Sequence, residues 1–261
     1  MNWLQGKHIV IMGGTTGIGL SAALAFVKEG AKVVVVGRDA MNAEIASELL
    51  GKNGYALTGD AISETTAPQA ISKCNKKFGG FDGLYHVAGG SGRKYGDGPL
   101  HEITLEGWNK TMELNLTSLM LSNRAAINTF KKSKTAGTIL NMSSVLGYSP
   151  SPKHFVTHAY ATSKAAIIGF TQSTAAFYAS DSIRINAIAP ALVETPMALR
   201  AANDETIKSF IKTKQPLDGG RIGISSDLDG AAIYFMSDFS KFTTGQTLSV
   251  DGGWHLSEGQ Y

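Results

Sequence analysis

Short β-branched runs alternate with longer amphipathic or alanine-rich stretches from one end of the chain to the other, and no other feature restricts its fold as much. Strands are expected over residues 8–12, 32–36, 55–58, 83–88, 138–142, 184–189 and 247–250. Helices are expected between them, over 17–29, 40–50, 63–78, 105–132, 159–178 and 225–237. The strands are nearly continuous in apolar residues, with valine at every position from Val33 to Val36, as in a sheet covered on both faces. Strand–helix alternation then implies right-handed crossovers and a parallel sheet, an α/β fold. No repeat or low-complexity linker breaks the pattern, so a single domain over 1–261 is expected.

A chain of 261 residues can bury a core that needs neither disulfide nor metal. Cys74 is the only cysteine, which excludes an intrachain disulfide and suits a reducing compartment. The net charge of +3 is small and dispersed. Its one cluster, Lys131, Lys132 and Lys134, reads as a solvated helix end, so no nucleic-acid partner is expected. No apolar run reaches membrane-spanning length and residues 1–7 lack a signal-peptide core, so the expectation is a cytoplasmic protein without a membrane partner. His86 has no companion His, Cys or carboxylate cluster; it is expected to pack at a strand end, and no metal is expected.

The stretch Gly13-Gly14-Thr15-Thr16-Gly17-Ile18-Gly19 lies between the first strand and the first helix. Glycines there let backbone approach a pyrophosphate, and the following helix offers unpaired N–H groups to the anion. The spacing alone is weak: Gly92, Gly96 and Gly98 match the same template but open no helix and read as turn residues. The second strand ends Val36-Gly37-Arg38-Asp39. It places no carboxylate at Gly37, where one would hold an adenosine ribose, and offers the Arg38 cation to an extra phosphate, which favours NADP(H) over NAD(H). The alternative leaves Arg38 in solvent and gives the ribose to Asp39.

Tyr160 and Lys164 are four residues apart at the start of an expected helix, on one face and one turn apart. A cation there is expected to lower the phenol from its usual pKa near 10, which makes the pair a general acid–base device. With eight tyrosines the pair is not rare by chance, but Ser143-Ser144 follows the fifth strand at its C-terminal end, where ligands bind in such sheets.

Taken together, the motifs resemble the short-chain dehydrogenase/reductase family over nearly the whole chain. The glycine motif aligns with Met12 through Gly19, the active-site Y-x-x-x-K with Tyr160 and Lys164, and the serine before V-x-G with Ser144. The helix asparagine matches Asn115, the P-G-x-x-x-T stretch Pro190 through Thr195, and the near-terminal V-D-G-G Val250 through Gly253. The resemblance implies a Rossmann-like, doubly wound parallel sheet of about seven strands with helices on both faces. It implies an NAD(P)-dependent oxidoreductase moving hydride between nicotinamide C4 and a small-molecule carbonyl or secondary alcohol.

Tyr160 would then be the general acid/base, Ser144 would orient the carbonyl oxygen, and Lys164 would hold the nicotinamide ribose. Asn115 would carry a proton relay. Cofactor contacts would come from Gly13, Thr15, Thr16, Gly17, Ile18, Gly19, Arg38, Asp60 (at the adenine), Ala88, Gly89, Tyr160, Lys164, Pro190, Val193 and Thr195. A homotetramer would follow, with Phe177 and Tyr178 at an interface or in the core. The other readings are a catalytically silent NADP-binding sensor and an epimerase or dehydratase, the latter needing a larger substrate portion.

Several positions depart from the family pattern. Met12 replaces a threonine, His86 and Val87 replace two asparagines, and Ala191 replaces a glycine. Three extra residues fall between Ser144 and Tyr160, in the stretch 149–155. Residues 194–215 are expected to form a substrate lid carrying Met197, Leu199, Phe210 and Ile211, or else plain packed helix. Arg93, Lys94, Lys153 and His154 could face an anionic or acyl substrate, or be solvated loop charge.

Overall fold

The computed structural model describes residues 2–259. The first half runs β1 (His8–Met12), α1 (Gly17–Lys28), β2 (Lys32–Gly37), α2 (Ala40–Leu50), β3 (Gly54–Thr58), α3 (Thr66–Phe78) and β4 (Gly83–His86). Next come α4 (Leu105–Met112), α5 (Ser118–Ser133), β5 (Gly137–Met142), α6 (His158–Tyr178) and β6 (Ile183–Pro190). The chain closes with β7 (Val193–Glu194), α7 (Leu199–Ala202), α8 (Glu205–Lys214), β8 (Gly223–Ile224), α9 (Asp229–Met236) and β9 (Thr247–Val250).

Seven strands pair in the order β3-β2-β1-β4-β5-β6-β9, each pair parallel. This is the expected doubly wound, Rossmann-like sheet. The valine run of β2 explains why it is covered twice. Val33 and Val35 join a core cluster with Ala22, Ala23 and Phe26 of α1, while Val34 and Val36 point the other way, into a cluster with Ala70 and Ile71 of α3 and Phe130 of α5. Each valine so buried stabilises the fold by roughly 1.5–3 kcal/mol relative to exposure. Strand order reverses between β1 and β4, and the crevice that binds ligands in such sheets opens at the C-terminal ends of those strands. A third cluster, of Val145, Ala201, Ile207, Ile211 and Trp254, stands apart from the two sheet faces.

The element boundaries differ from expectation where polar contacts intervene. β4 stops at His86 and not at Ala88, because the N–H groups of Val87 and Ala88 both turn onto the Met12 carbonyl. The helix expected over 105–132 is interrupted by a π-helical turn at Glu113–Thr117. The helix expected from 63 begins at Thr66, after Asp60 Oδ1 accepts the Ile62 N–H and tightens the turn. The helix expected from 225 begins as a 3-10 turn and becomes α-helical at Asp229. The β7–β8 pair, two residues per strand, is too short to leave a periodic signal. Among the described residues, no helix is long and apolar enough to cross a membrane.

Candidate active site

The glycine loop leaves β1 with backbone geometry that side chains would block. Gly13 has φ 80°, and a Cβ there would lie 2.6 Å from the Ala88 nitrogen. A Cβ on Gly19 would overlap the Gly13 carbonyl oxygen, and one on Gly17 would lie 3.4 Å from Thr195 Cγ2. Residues 13–19, Ala88 and Thr195 therefore meet at the crevice between β1 and β4. Thr16 caps α1 without a side-chain hydrogen bond, so the first N–H groups of the helix remain available to an anion. A dinucleotide pyrophosphate fits this cradle. The half-buried Ile18 side chain packs against the core beneath α1.

Thr15 is buried against the end of β2, where a Cβ on Gly37 would overlap its Oγ1. That contact leaves no room for an acidic side chain at position 37. Arg38 is exposed beside it. Asp39, the competing ribose ligand, caps α2 by accepting the Asn42 N–H at 2.8 Å. Asp60 follows β3, with Oδ1 accepting the Ile62 N–H.

Four elements bring the candidate catalytic side chains together. Tyr160 stands in the first turn of α6, and the Ser144 hydroxyl is close enough to favour the ionised form of its phenol. Ser144 Oγ also accepts the Leu146 N–H at 3.2 Å and reaches the Pro190 carbonyl at 3.4 Å. Lys164 is buried; its Nζ donates to the Met142 carbonyl at 3.0 Å and lies 5.4 Å from the Tyr160 ring centroid. A Cβ on Gly89 would lie 2.6 Å from Asn115 Oδ1 and 3.7 Å from Lys164 Nζ, so this glycine is the spacer between those two residues. Val193, buried at the start of β7, and Thr195 complete the wall opposite the glycine loop.

Residues 13–255 match the family model described as enoyl-(acyl carrier protein) reductase. The chain belongs to the short-chain dehydrogenase/reductase family. It is 32% identical to 2-(S)-hydroxypropyl-CoM dehydrogenase 3 of Xanthobacter autotrophicus over 97% of this chain and 98% of that one. A short-chain type dehydrogenase/reductase from Mycobacterium ulcerans superposes with a TM-score of 0.87 at 26% identity, over 97% of this chain and 91% of that one. The 3-ketoacyl-(acyl-carrier-protein) reductase of Brucella melitensis, complexed with NADH, superposes with a TM-score of 0.85 at 28% identity, over 97% of this chain and all of its own. Short-chain dehydrogenase/reductases are oxidoreductases that use NAD(P)(H), and this chain is one of them.

For this dehydrogenase/reductase, the electrostatics correct one expectation. The ammonium of Lys164 does not bring the Tyr160 phenol down. Burial pushes the phenol up to about 12, with only the Ser144 hydrogen bond acting downward, and burial pulls Lys164 down to about 8. Lys164 is buried and Tyr160 half-buried, and desolvation penalises the charged form of each more than its surroundings repay. At neutral pH Tyr160 is therefore a protonated phenol.

His86 packs as expected. Its Nδ1 is 2.7 Å from Ser122 Oγ and its Nε2 3.1 Å from the Ala88 carbonyl, and burial holds the ring neutral with a pKa lowered to about 3. A carbonyl can only accept, so Nε2 carries the proton and Nδ1 accepts from Ser122.

The residues expected over the crevice divide. Ile211 is buried and Phe210 packs edge-on to Trp254 at 5.7 Å, whereas Met197 and Leu199 are each 55% exposed. His154 lies against Phe210 at 4.6 Å and Lys94 over the Tyr95 ring at 4.8 Å, while Arg93 and Lys153 are exposed. Sequence reasoning missed Asp97 and set Ser143 aside in favour of Ser144. Ser143 Oγ donates to the Lys164 carbonyl at 2.8 Å, and both oxygens of the buried Asp97 accept N–H groups from the first turn of α6. Only the oddity of a carboxylate between Gly96 and Gly98 could have signalled the latter.

Proposed function

We propose that this chain is an NADP-preferring carbonyl reductase or alcohol dehydrogenase, acting on a small ketone or secondary alcohol with Tyr160 as general acid/base. The reading rests above all on the meeting of Ser144, Tyr160 and Lys164 beside the glycine cradle. The nicotinamide cofactor supplies hydride when bound. Gly13, Thr16, Gly17 and Gly19 would hold its pyrophosphate, Asp60 its adenine, and Ala88, Gly89, Pro190, Val193 and Thr195 the nicotinamide end.

In the reductive direction, Tyr160 Oη gives its proton to the carbonyl oxygen, which Ser144 Oγ holds by a hydrogen bond. A phenol with a pKa pushed up to about 12 stands fully loaded with that proton at pH 7. Asn115 and Lys164, on either side of Gly89, form the route along which the proton is replaced.

The NADP preference follows from the exposed Arg38 beside the closed position 37. We also propose a homotetramer in the cytoplasm; the 72%-exposed Phe177, its ring 4.9 Å from that of Tyr178, suits a subunit contact. A screen of ketones and secondary alcohols with NADPH, NADH, NADP and NAD tests the reading. Turnover with NADPH at least tenfold more efficient than with NADH, reversed or abolished in Arg38→Ser, is expected. Tyr160→Phe should lose at least a hundredfold in kcat while still binding NADPH. Cofactor binding with no turnover of any carbonyl would make the chain a cofactor sensor instead.

A further inference from the structure

An α-helix starts with N–H groups that have no partner within the helix, and a residue at the N-cap usually supplies one. At α6 it does not: Thr157 makes no side-chain capping bond. The partners come from a loop some sixty residues earlier in the chain. Gly98 accepts the His158 N–H through its carbonyl at 3.3 Å, Asp97 Oδ1 accepts that of Ala159 at 3.0 Å, and Asp97 Oδ2 accepts that of Tyr160 at 2.9 Å. The carboxylate is only 6% exposed and faces the positive end of a 21-residue helix, so both bonds are charge-assisted.

That loop is itself anchored. The Asp97 N–H donates to the Gly92 carbonyl, and a Cβ on Gly92 would overlap Thr111 Oγ1 and lie 3.0 Å from Asp97 Cβ. Upstream, Asn115 holds Gly90 through both its N–H and its carbonyl.

The two ends of the Tyr160–Lys164 turn are thus held by different parts of the molecule. The Lys164 end is fixed by Met142, the last residue of β5, and Ser143, which follows it. The Tyr160 end is fixed by Asp97. We propose that Asp97 is a positioning residue for Tyr160: its carboxylate sets the height of the first turn of α6 and so places the phenol against Ser144. Asp97 touches neither the phenol nor a reacting atom; it acts through the backbone. A misplacement of about 1 Å in a reacting group can cost on the order of a hundredfold in rate. The cofactor cradle, built from the glycine loop, is left intact.

This inference rests on Tyr160 being the proton donor, and the test separates the two. In the full-length protein, Asp97→Ala should lower kcat for NADPH-dependent reduction of ethyl 3-oxobutanoate, or of whichever ketone the screen returns, by tenfold or more. Its dissociation constant for NADPH should stay within twofold. Asp97→Asn, which keeps one oxygen acceptor, should recover part of the loss. By hydrogen exchange, the amides of Ala159 and Tyr160 should open at least tenfold faster in Asp97→Ala, with those of 163–170 unchanged. Unchanged kcat with unchanged exchange would overturn the proposal. So would a loss of kcat that tracks loss of NADPH affinity and of protection along all of α6, and so would an Asn variant no better than Ala. If the wild type reduces no carbonyl, the reaction assignment fails, and amide exchange alone decides whether Asp97 holds the turn.

Discussion

Lys164 displays the tension between function and stability most clearly. Its folded pKa of about 8 lies below the 10.5 of a free lysine. Below pH 8 both folded and unfolded states hold the proton, and the full cost of burying the charge is present. Between pH 8 and 10.5 the unfolded state binds the proton that the folded state has released, so this contribution to stability rises with pH and the cost is gone above 10.5. The shift corresponds to about 3 kcal/mol. Lys164→Met is therefore expected to be more stable than the wild type in urea at pH 7, by a margin that shrinks to nothing near pH 10.5. A margin independent of pH would show that the amine is not the source. That Tyr160, Lys164, Ser144 and Asn115 gather round one crevice was legible in the sequence from their motifs. The direction of the Tyr160 shift was not, since it depends on how far the fold excludes water. Asp97 was illegible for another reason: it caps a helix more than sixty positions away.

At the scale of elements, the periodic segments were legible and their interruptions were not. The helical pattern from 105 to 132 gives no hint that Glu113–Thr117 adopts a wider turn. The turn rotates Asn115 inward, where Nδ2 donates to the carbonyls of Gly90 and Thr111 and Oδ1 accepts the Gly90 N–H. Asn115→Leu would strip both backbone groups of Gly90 of these partners. At roughly 1–3 kcal/mol for each of the two groups left unpaired, the variant should lose about 2–6 kcal/mol in urea unfolding. It should also release the loop that carries Asp97, so its rate should fall even for substrate already bound. A Leu variant as stable as the wild type would mean that the Gly90 groups find other partners. The early end of β4 has the same origin, because the N–H groups of Val87 and Ala88 converge on one carbonyl, that of Met12 at the end of β1, and the ladder runs no further.

For the whole molecule, a ligand that binds only the folded state stabilises it by mass action. NADPH at a hundred times its dissociation constant should add about 2.7 kcal/mol, which for a chain of this size raises the unfolding midpoint by about 5–10 °C. NADH at the same concentration should raise it less, and equal shifts would count against a role for Arg38 in selecting the cofactor. In solution, light scattering should return four times the 27.6 kDa chain mass, and a monomer would remove the tetramer. By itself the sequence determined the parallel, doubly covered sheet, since four consecutive valines need apolar neighbours on both faces and strand–helix alternation admits one hand of crossover. It pointed to the glycine cradle as well, through the place of the glycines between a strand and a helix, while the packing against Ala88 and the Gly13 carbonyl that excludes any Cβ belongs to the fold. Only the tertiary structure decided the protonation of Tyr160 and Lys164, the inward turn of Asn115 and the hold of Asp97 on α6. Desolvation and hydrogen bonding between distant segments depend on which residues the fold brings together, and spacing along the chain does not encode that.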